Sequence, residues 1–279
     1  MNILINYADS KYESARKWNT RTGRWFGKFD KIYEFKPEDI EPSFKEAHKD
    51  IFAYERGNGL WLWKAYFIER VIRESKDGDS IFYIDSGAFF IRNPRILLDY
   101  ISDQNPIFAC DQPLLESCWT KPDLFNALDA WKYKNYNQFW GGLQVIRVNG
   151  YTRKFYKEWL ELCCVHDYIS PAGLGKKEVI NHDYGSSFVS HREDQSIFSL
   201  LCHSKGIIAH RDISQRGFKP ETFYNPNYAY RVPEHPDDKY PTIVYLHKGK
   251  SLTNYIMKRI YSVLQLAKLK RLLINKIHV

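Results

Sequence analysis

Apolar and polar positions alternate along this chain in blocks that separate strands from helices. Residues 2–7, NILINY, are an apolar run of the length of a buried strand. Asp9 and Ser10 then offer an N-cap for a helix through about Lys17. KIYEF (31–35) predicts a second strand, and Pro37 and Pro42 punctuate the stretch after it. In LWLWKAYFIERVIRE (60–74), Leu60, Trp63, Phe67, Val71 and Ile72 fall on one face of a helix. The turn Asp77-Gly78-Asp79 closes it, and SIFYI (80–84) is an unbroken apolar strand ending at Asp85-Ser86-Gly87. Further strands are predicted at 107–109, 143–148, 207–210 and 242–246, with helices near 121–131 and over 151–164 and 194–204. A Gly- and Lys-rich loop at 173–184 and an irregular, Pro- and aromatic-rich connection at 215–241 lie between them. Strands alternating with helices imply a Rossmann-like α/β domain, a mostly parallel sheet covered on both faces.

Composition narrows the functional classes. The 279 residues suit one large domain or two small ones. A net charge of +8 would suggest a polyanionic partner if it were spread over the chain. It is not: residues 251–279 hold Lys258, Arg259, Lys268, Lys270, Arg271 and Lys276 and no acidic residue. The remainder is nearly neutral, which argues against nucleic acid and points the tail at phosphate or anionic lipid. Five cysteines without a CxxC spacing predict reduced thiols rather than a disulfide framework or structural zinc. The first residues carry no signal-peptide pattern and no apolar run reaches membrane-spanning length, so a cytoplasmic location is expected. Aromatic residues make up 16% of the chain; most must fill the core, and some are available to stack on sugars or bases.

In sheets of this kind ligands lie beyond the carboxyl ends of strands, where several polar residues stand. Asp85 directly follows SIFYI and reads either as a carboxylate holding a divalent cation against a diphosphate or as a turn cap. His247 follows TIVYL in His247-Lys248-Gly249-Lys250, either a metal ligand with phosphate-binding neighbours or a solvated basic turn. Asp194 and Gln195 open a helix: plain N-terminal material, or a carboxylate and an amide aimed at sugar hydroxyls. Gly141 and Gly142 precede a strand and suggest close backbone approach to a ligand, or a bulge. Lys64 lies on an otherwise apolar helix face, snorkelling or touching phosphate.

The order of these signals resembles the family 8 retaining glycosyltransferases, which include bacterial lipooligosaccharide galactosyltransferases and glycogenin. That family carries an Asp-x-Asp after a YLD-type strand, an Asn-x-Gly-type segment, an Asp-Gln-Asp helix start and a late His-x-x-Gly-x-x-Lys. Tyr83-Ile84-Asp85-Ser86-Gly87 matches the first except at its last position, Asp194-Gln195-Ser196 matches two of three, and His247-Lys248-Gly249-Lys250 is a shortened last motif. GNGLWLWKAY, FYIDSG and SHREDQSIFSLL look closer still to bacterial transferases of capsule and O-antigen synthesis.

The resemblance implies a GT-A domain, three-layer α/β/α, over residues 1–250, with 251–279 as a basic amphipathic tail. It implies transfer of a hexose from a nucleotide sugar, UDP-linked, to a saccharide or lipid-linked acceptor with retention. Tyr7 and Ala8 would line the nucleobase site, and Lys250 would touch phosphate. Asp194 would hold donor hydroxyls, with Gln195 near the anomeric carbon. Asp85 and His247 would bind Mn2+ or Mg2+, although Gly87 stands where the family has its second metal-binding Asp. A sugar-binding or inactive protein of the same fold is a competing reading. A nucleotidyltransferase is another, disfavoured by the lack of a Gly-rich loop after the first strand. In 254–274, Ile256, Ile260, Val263, Leu264, Ala267 and Leu272 oppose the basic residues, the pattern of a helix lying in an anionic membrane surface. This predicts a peripheral protein at the inner face of the cytoplasmic membrane; the bland alternative is a terminal helix packed on the domain.

Overall fold

A computed structural model describes residues 1–173, 188–220 and 228–247. Lys250, the tail at 251–279 and most of the predicted Gly- and Lys-rich loop lie outside the described residues. The strands are β1 (Asn2–Tyr7), β2 (Lys31–Phe35), β3 (Ser80–Ile84), β4 (Ala88–Phe90), β5 (Ile107–Leu115), β6 (Asn137–Arg147), β7 (Ala209–His210) and β8 (Val244–Leu246). The principal helices are α1 (Glu13–Thr22), α2 (Leu62–Glu74), α3 (Gly150–Cys163) and α4 (Glu193–Ser204).

Six strands form the central sheet in the order β2-β1-β3-β6-β5-β7, and only β6 runs against the rest. The sheet is therefore mostly parallel and the chain is an α/β protein, as the alternation predicts. Successive residues of each strand point to opposite faces, which creates two cores. Ile3, Ile5, Ile81, Tyr83 and Ile146 pack on one face beneath α2, α3 and α4. Leu4, Phe82, Ile84, Phe108 and Val145 pack on the other. Asn149 caps α3, accepting from the Thr152 amide at 2.9 Å while Thr152 Oγ1 reaches back to the Asn149 amide.

Several boundaries differ from the sequence pattern. The predicted strand at 242–246 is not in the central sheet: β8 pairs antiparallel with β4, a short strand missed by the pattern, in a separate two-stranded sheet. Its apolar Val244, with Ala88 and Phe90, seals the second core, so that face is covered partly by strand rather than by helices alone. β6 begins at Asn137, so Gly141 and Gly142 lie inside a strand. The polar Asn137 and Gln138 hide this start in the sequence, yet both are buried and hydrogen-bonded. The first helix starts later, at Glu13; Asp9 instead closes a turn, its carboxylate accepting from the Tyr12 amide at 3.1 Å. Near 121–131 only Pro122–Ala127 is α-helical.

β1 lies between β2 and β3, so the chain leaves β1 toward one edge and returns on its other side. The crevice between the carboxyl ends of β1 and β3 is the topological switch point, where α/β sheets bind ligands. Tyr7 and Asp85 stand at its two rims.

Candidate active site

Two adjoining chambers open at this crevice. The larger, about 530 Å³, is lined by Tyr7, Ala8, Arg56, Asn58, Trp61 and Asp85, among others. The smaller, about 270 Å³, is lined by Lys64, Trp140, Gly142, Arg192, Asp194 and Gln195, and shares Arg56, Trp61 and Asp85 with the first. Asp85 therefore stands on the boundary between them.

β-sheet register explains why the two glycine and aspartate signals meet. Ile84 pairs with Leu143 across the antiparallel β3–β6 ladder, so Asp85 faces Gly142, and the Asp85 amide donates to the Gly142 carbonyl at 2.9 Å. A Cβ at position 142 would collide with both Asp85 Oδ2 and Trp140 Nε1. Only glycine admits the carboxylate there. At Gly141 a Cβ would meet Asp194 Oδ2 and Gln195 Cβ at an ordinary 3.4 Å.

The start of α4 is stitched to the same strand. The Gly141 amide donates to Gln195 Oε1 at 3.3 Å, and Gln195 Nε2 donates to Gln138 Oε1 at 2.7 Å. The Trp159 indole donates to the Asp194 carbonyl at 3.3 Å. These contacts aim the Asp194 carboxylate at α2, where Lys64 Nζ lies 2.8 Å from Asp194 Oδ2 and 3.8 Å from Asp85 Oδ1. The Tyr83 hydroxyl donates to Asp85 Oδ1 at 2.6 Å. Lys64 is 4% exposed, so it does not snorkel; it is held between two carboxylates. Burial opposes its charge, but Asp194 and Asp85 more than offset this and raise its pKa. Burial dominates at Asp194, whose carboxyl is pushed up to about 6 even though Lys64 pulls it down.

The remaining predicted residues surround this centre. Tyr7 stacks on Trp63 with ring centroids 3.7 Å apart and receives a hydrogen bond from the Asn58 amide. The Ala8 amide donates to the Phe35 carbonyl at 3.1 Å, which leaves the end of β1 facing the larger chamber. His247 does not follow Asp85 in one sheet as expected. Its backbone amide donates to the Gly87 carbonyl at 2.9 Å, while its ring lies against Phe89, centroids 5.6 Å apart.

The pattern passed over Arg56, Trp61, Trp119 and Arg192. Arg56 joins the two halves of the crevice, its Nε 2.8 Å from Glu193 Oε1. Glu193 sits on unusual backbone, with φ +40°, and soon after Arg56 the residues Asn58, Leu60 and Trp61 have φ +53°, +54° and +63°. Non-glycine residues in the left-handed region cost free energy and cluster at functional sites. The sequence signal was Gly57-Asn58-Gly59 before paired tryptophans, a turn-forming tripeptide in front of a strongly apolar helix.

A divalent cation fits this donor set poorly. Asp85 Oδ1 is already shared by Tyr83 and Lys64, and position 87 supplies no carboxylate. No group of three or more His, Cys, Asp or Glu suited to a metal occurs among the described residues.

These features define an α/β protein with a two-chambered, mixed-charge crevice at the switch point of its sheet. No protein-family model and no curated protein sequence matches the chain. Among solved structures it is similar to mouse xyloside xylosyltransferase 1 in its apo form, at 11% identity over 89% of this chain and 98% of that one, TM-score 0.49. It is similar to the galactosyltransferase LgtC in complex with donor and acceptor sugar analogs, at 14% identity over 89% and 87% of the chains, TM-score 0.46. It is also similar to the apo structure of the bifunctional glycosyltransferase WbbM, at 13% identity over 76% of this chain and 40% of that one, TM-score 0.47.

Proposed function

We propose that the protein is a glycosyltransferase that moves a hexose from a nucleotide sugar, a UDP-sugar, to a saccharide or lipid-linked saccharide of a surface polysaccharide. The observation that carries this reading is the pair of chambers sharing Asp85, Arg56 and Trp61. The larger suits a nucleoside, with Tyr7, Trp61 and Trp63 supplying aromatic surface beside the end of β1. The smaller suits a sugar, with Asp194 as hydroxyl acceptor and Gln195 beside it. The diphosphate then lies at the shared boundary, next to Lys64 and Arg56. As the glycosidic bond breaks, negative charge grows on the leaving diphosphate, and preorganised cations there stabilise it. Retention of configuration follows the family 8 resemblance and is read directly from the anomeric proton of the product. Thermal-shift measurements with UDP, GDP, ADP and thymidine diphosphate test the donor site, because a bound ligand raises apparent stability by mass action. A shift with at least one of them, largest for UDP, is expected; no shift with any of them would remove the donor site.

A further inference from the structure

We infer that this crevice binds and uses its nucleoside diphosphate without a divalent cation, the Lys64 ammonium occupying the place between carboxylates that a metal would fill. The inference rests on the donor-site reading above and concerns how that site balances charge.

Three observations carry it. The first is the position of Lys64, 2.8 Å from Asp194 and 3.8 Å from Asp85, so that one cation already bridges these two carboxylates of the crevice. Hard cations sit roughly 2.0–2.6 Å from carboxylate oxygens. An ion on Asp85 Oδ1 would thus lie within about 6 Å of the ammonium from any direction, and like charges at that range in a partly desolvated site repel strongly. The second is the occupation of that oxygen, to which the buried Tyr83 donates at 2.6 Å while Lys64 lies 3.8 Å away. Asp85 Oδ2 lies on the Gly142 side, where an added Cβ would collide with it, and the Asp85 side chain is 41% exposed to the crevice.

The third observation is at Gly87. A Cβ there would meet no atom of the described residues within 4 Å, and the residue has no positive φ that would demand glycine. Neither the packing of the described residues nor the backbone explains the missing side chain. The described residues leave room for a Cβ at this position, and the chain carries no carboxylate there. The positive charge facing the diphosphate comes instead from Lys64 and from Arg56, which lines both chambers with its side chain 45% exposed.

The test compares the wild-type full chain and Gly87→Asp, with UDP as probe, in EDTA and in Mn2+. Binding is read by thermal shift, and bound Mn2+ is read separately by electron paramagnetic resonance. In the wild type, UDP affinity should differ between EDTA and Mn2+ by less than about twofold, with no protein-bound Mn2+ signal. Gly87→Asp restores an Asp-x-Asp pair in open space and should acquire a bound Mn2+ signal and tighter UDP binding in Mn2+ than in EDTA. Wild-type binding that appears only with Mn2+, or weakens at least ~10-fold in EDTA, overturns this inference and leaves the donor site standing. Absence of UDP binding in every condition overturns both. A Gly87→Asp variant as indifferent to Mn2+ as the wild type would show that position 87 does not decide metal use, which also overturns it.

Discussion

Lys64, Asp85 and Asp194 come from three separate segments, and their meeting is the central fact at the scale of residues. With Lys64 and Asp194 each about 5% exposed, neither charge is tolerable alone, and removing one partner of such a pair costs about 3–5 kcal/mol. The pair also sets a pH dependence. Asp194 is faced by Lys64, Asp85, Glu193 and Cys163, and burial lifts its carboxyl to about 6. A carboxyl with a raised native pKa favours the fold when protonated; that contribution is complete below the ordinary aspartate range and is lost as pH rises through about 6. Activity runs the other way, since protonation removes the charge that holds Lys64 and sugar hydroxyls. We expect kcat/KM to fall on acidification with a midpoint near 6; a profile flat from about pH 5 to about pH 8 would argue that Asp194 does not act as a carboxylate. The glycine pair gives a second contrast. Gly142→Ala must displace Asp85 or Trp140 and should weaken UDP binding at least ~10-fold, while Gly141→Ala, with ordinary contacts, should stay within about twofold. Equal behaviour of the two variants in a binding titration would refute the close approach of Asp85.

At the scale of elements, α4 anchors the site by being buried almost all round. Ile197, Phe198, Leu200 and Leu201 enter the core, and Ser196 and Ser199 bond to β6 and its neighbours. Phe198 packs against Trp159 and Phe155, with ring centroids 5.1 and 6.1 Å away. Phe198→Ala should lower unfolding free energy by about 3–5 kcal/mol in urea titration, and a loss below about 1 kcal/mol would mean that the site collapses around the cavity. Much of this was legible in the sequence. NILINY, KIYEF and SIFYI are strands within one residue of their predicted limits, because each is a short apolar or β-branched run bounded by turn residues. Asp85 and Asp194 were legible as residues ending a strand and opening a helix. Their partners were not. The register that sets Asp85 opposite Gly142, and the packing that buries Lys64, depend on contacts distant in sequence, and local periodicity carries no trace of them. β8 was misplaced for the same reason: an apolar strand does not declare which sheet edge it will join.

At the scale of the whole molecule, the switch point between β1 and β3 gathers side chains from Tyr7 to Gln195 into one crevice. No described helix is long and apolar enough to cross a membrane. The acidic-free tail beyond residue 250 supports a proposal of peripheral attachment, where anionic lipids contribute about 1 kcal/mol per basic residue near the surface. Full-length protein should co-sediment with anionic vesicles at low salt and a 1–250 form should not; equal binding by both, or by neither, would contradict the anchor. The claim on which everything else depends is that this crevice breaks a nucleotide–sugar bond. It is tested most directly by nucleoside diphosphate release from a panel of nucleotide sugars, comparing the wild type with folded Asp194→Asn. Release by the wild type from at least one donor, reduced at least ~100-fold in the variant, is the expected result. Release from none of the donors, or equal release by both proteins, would contradict it.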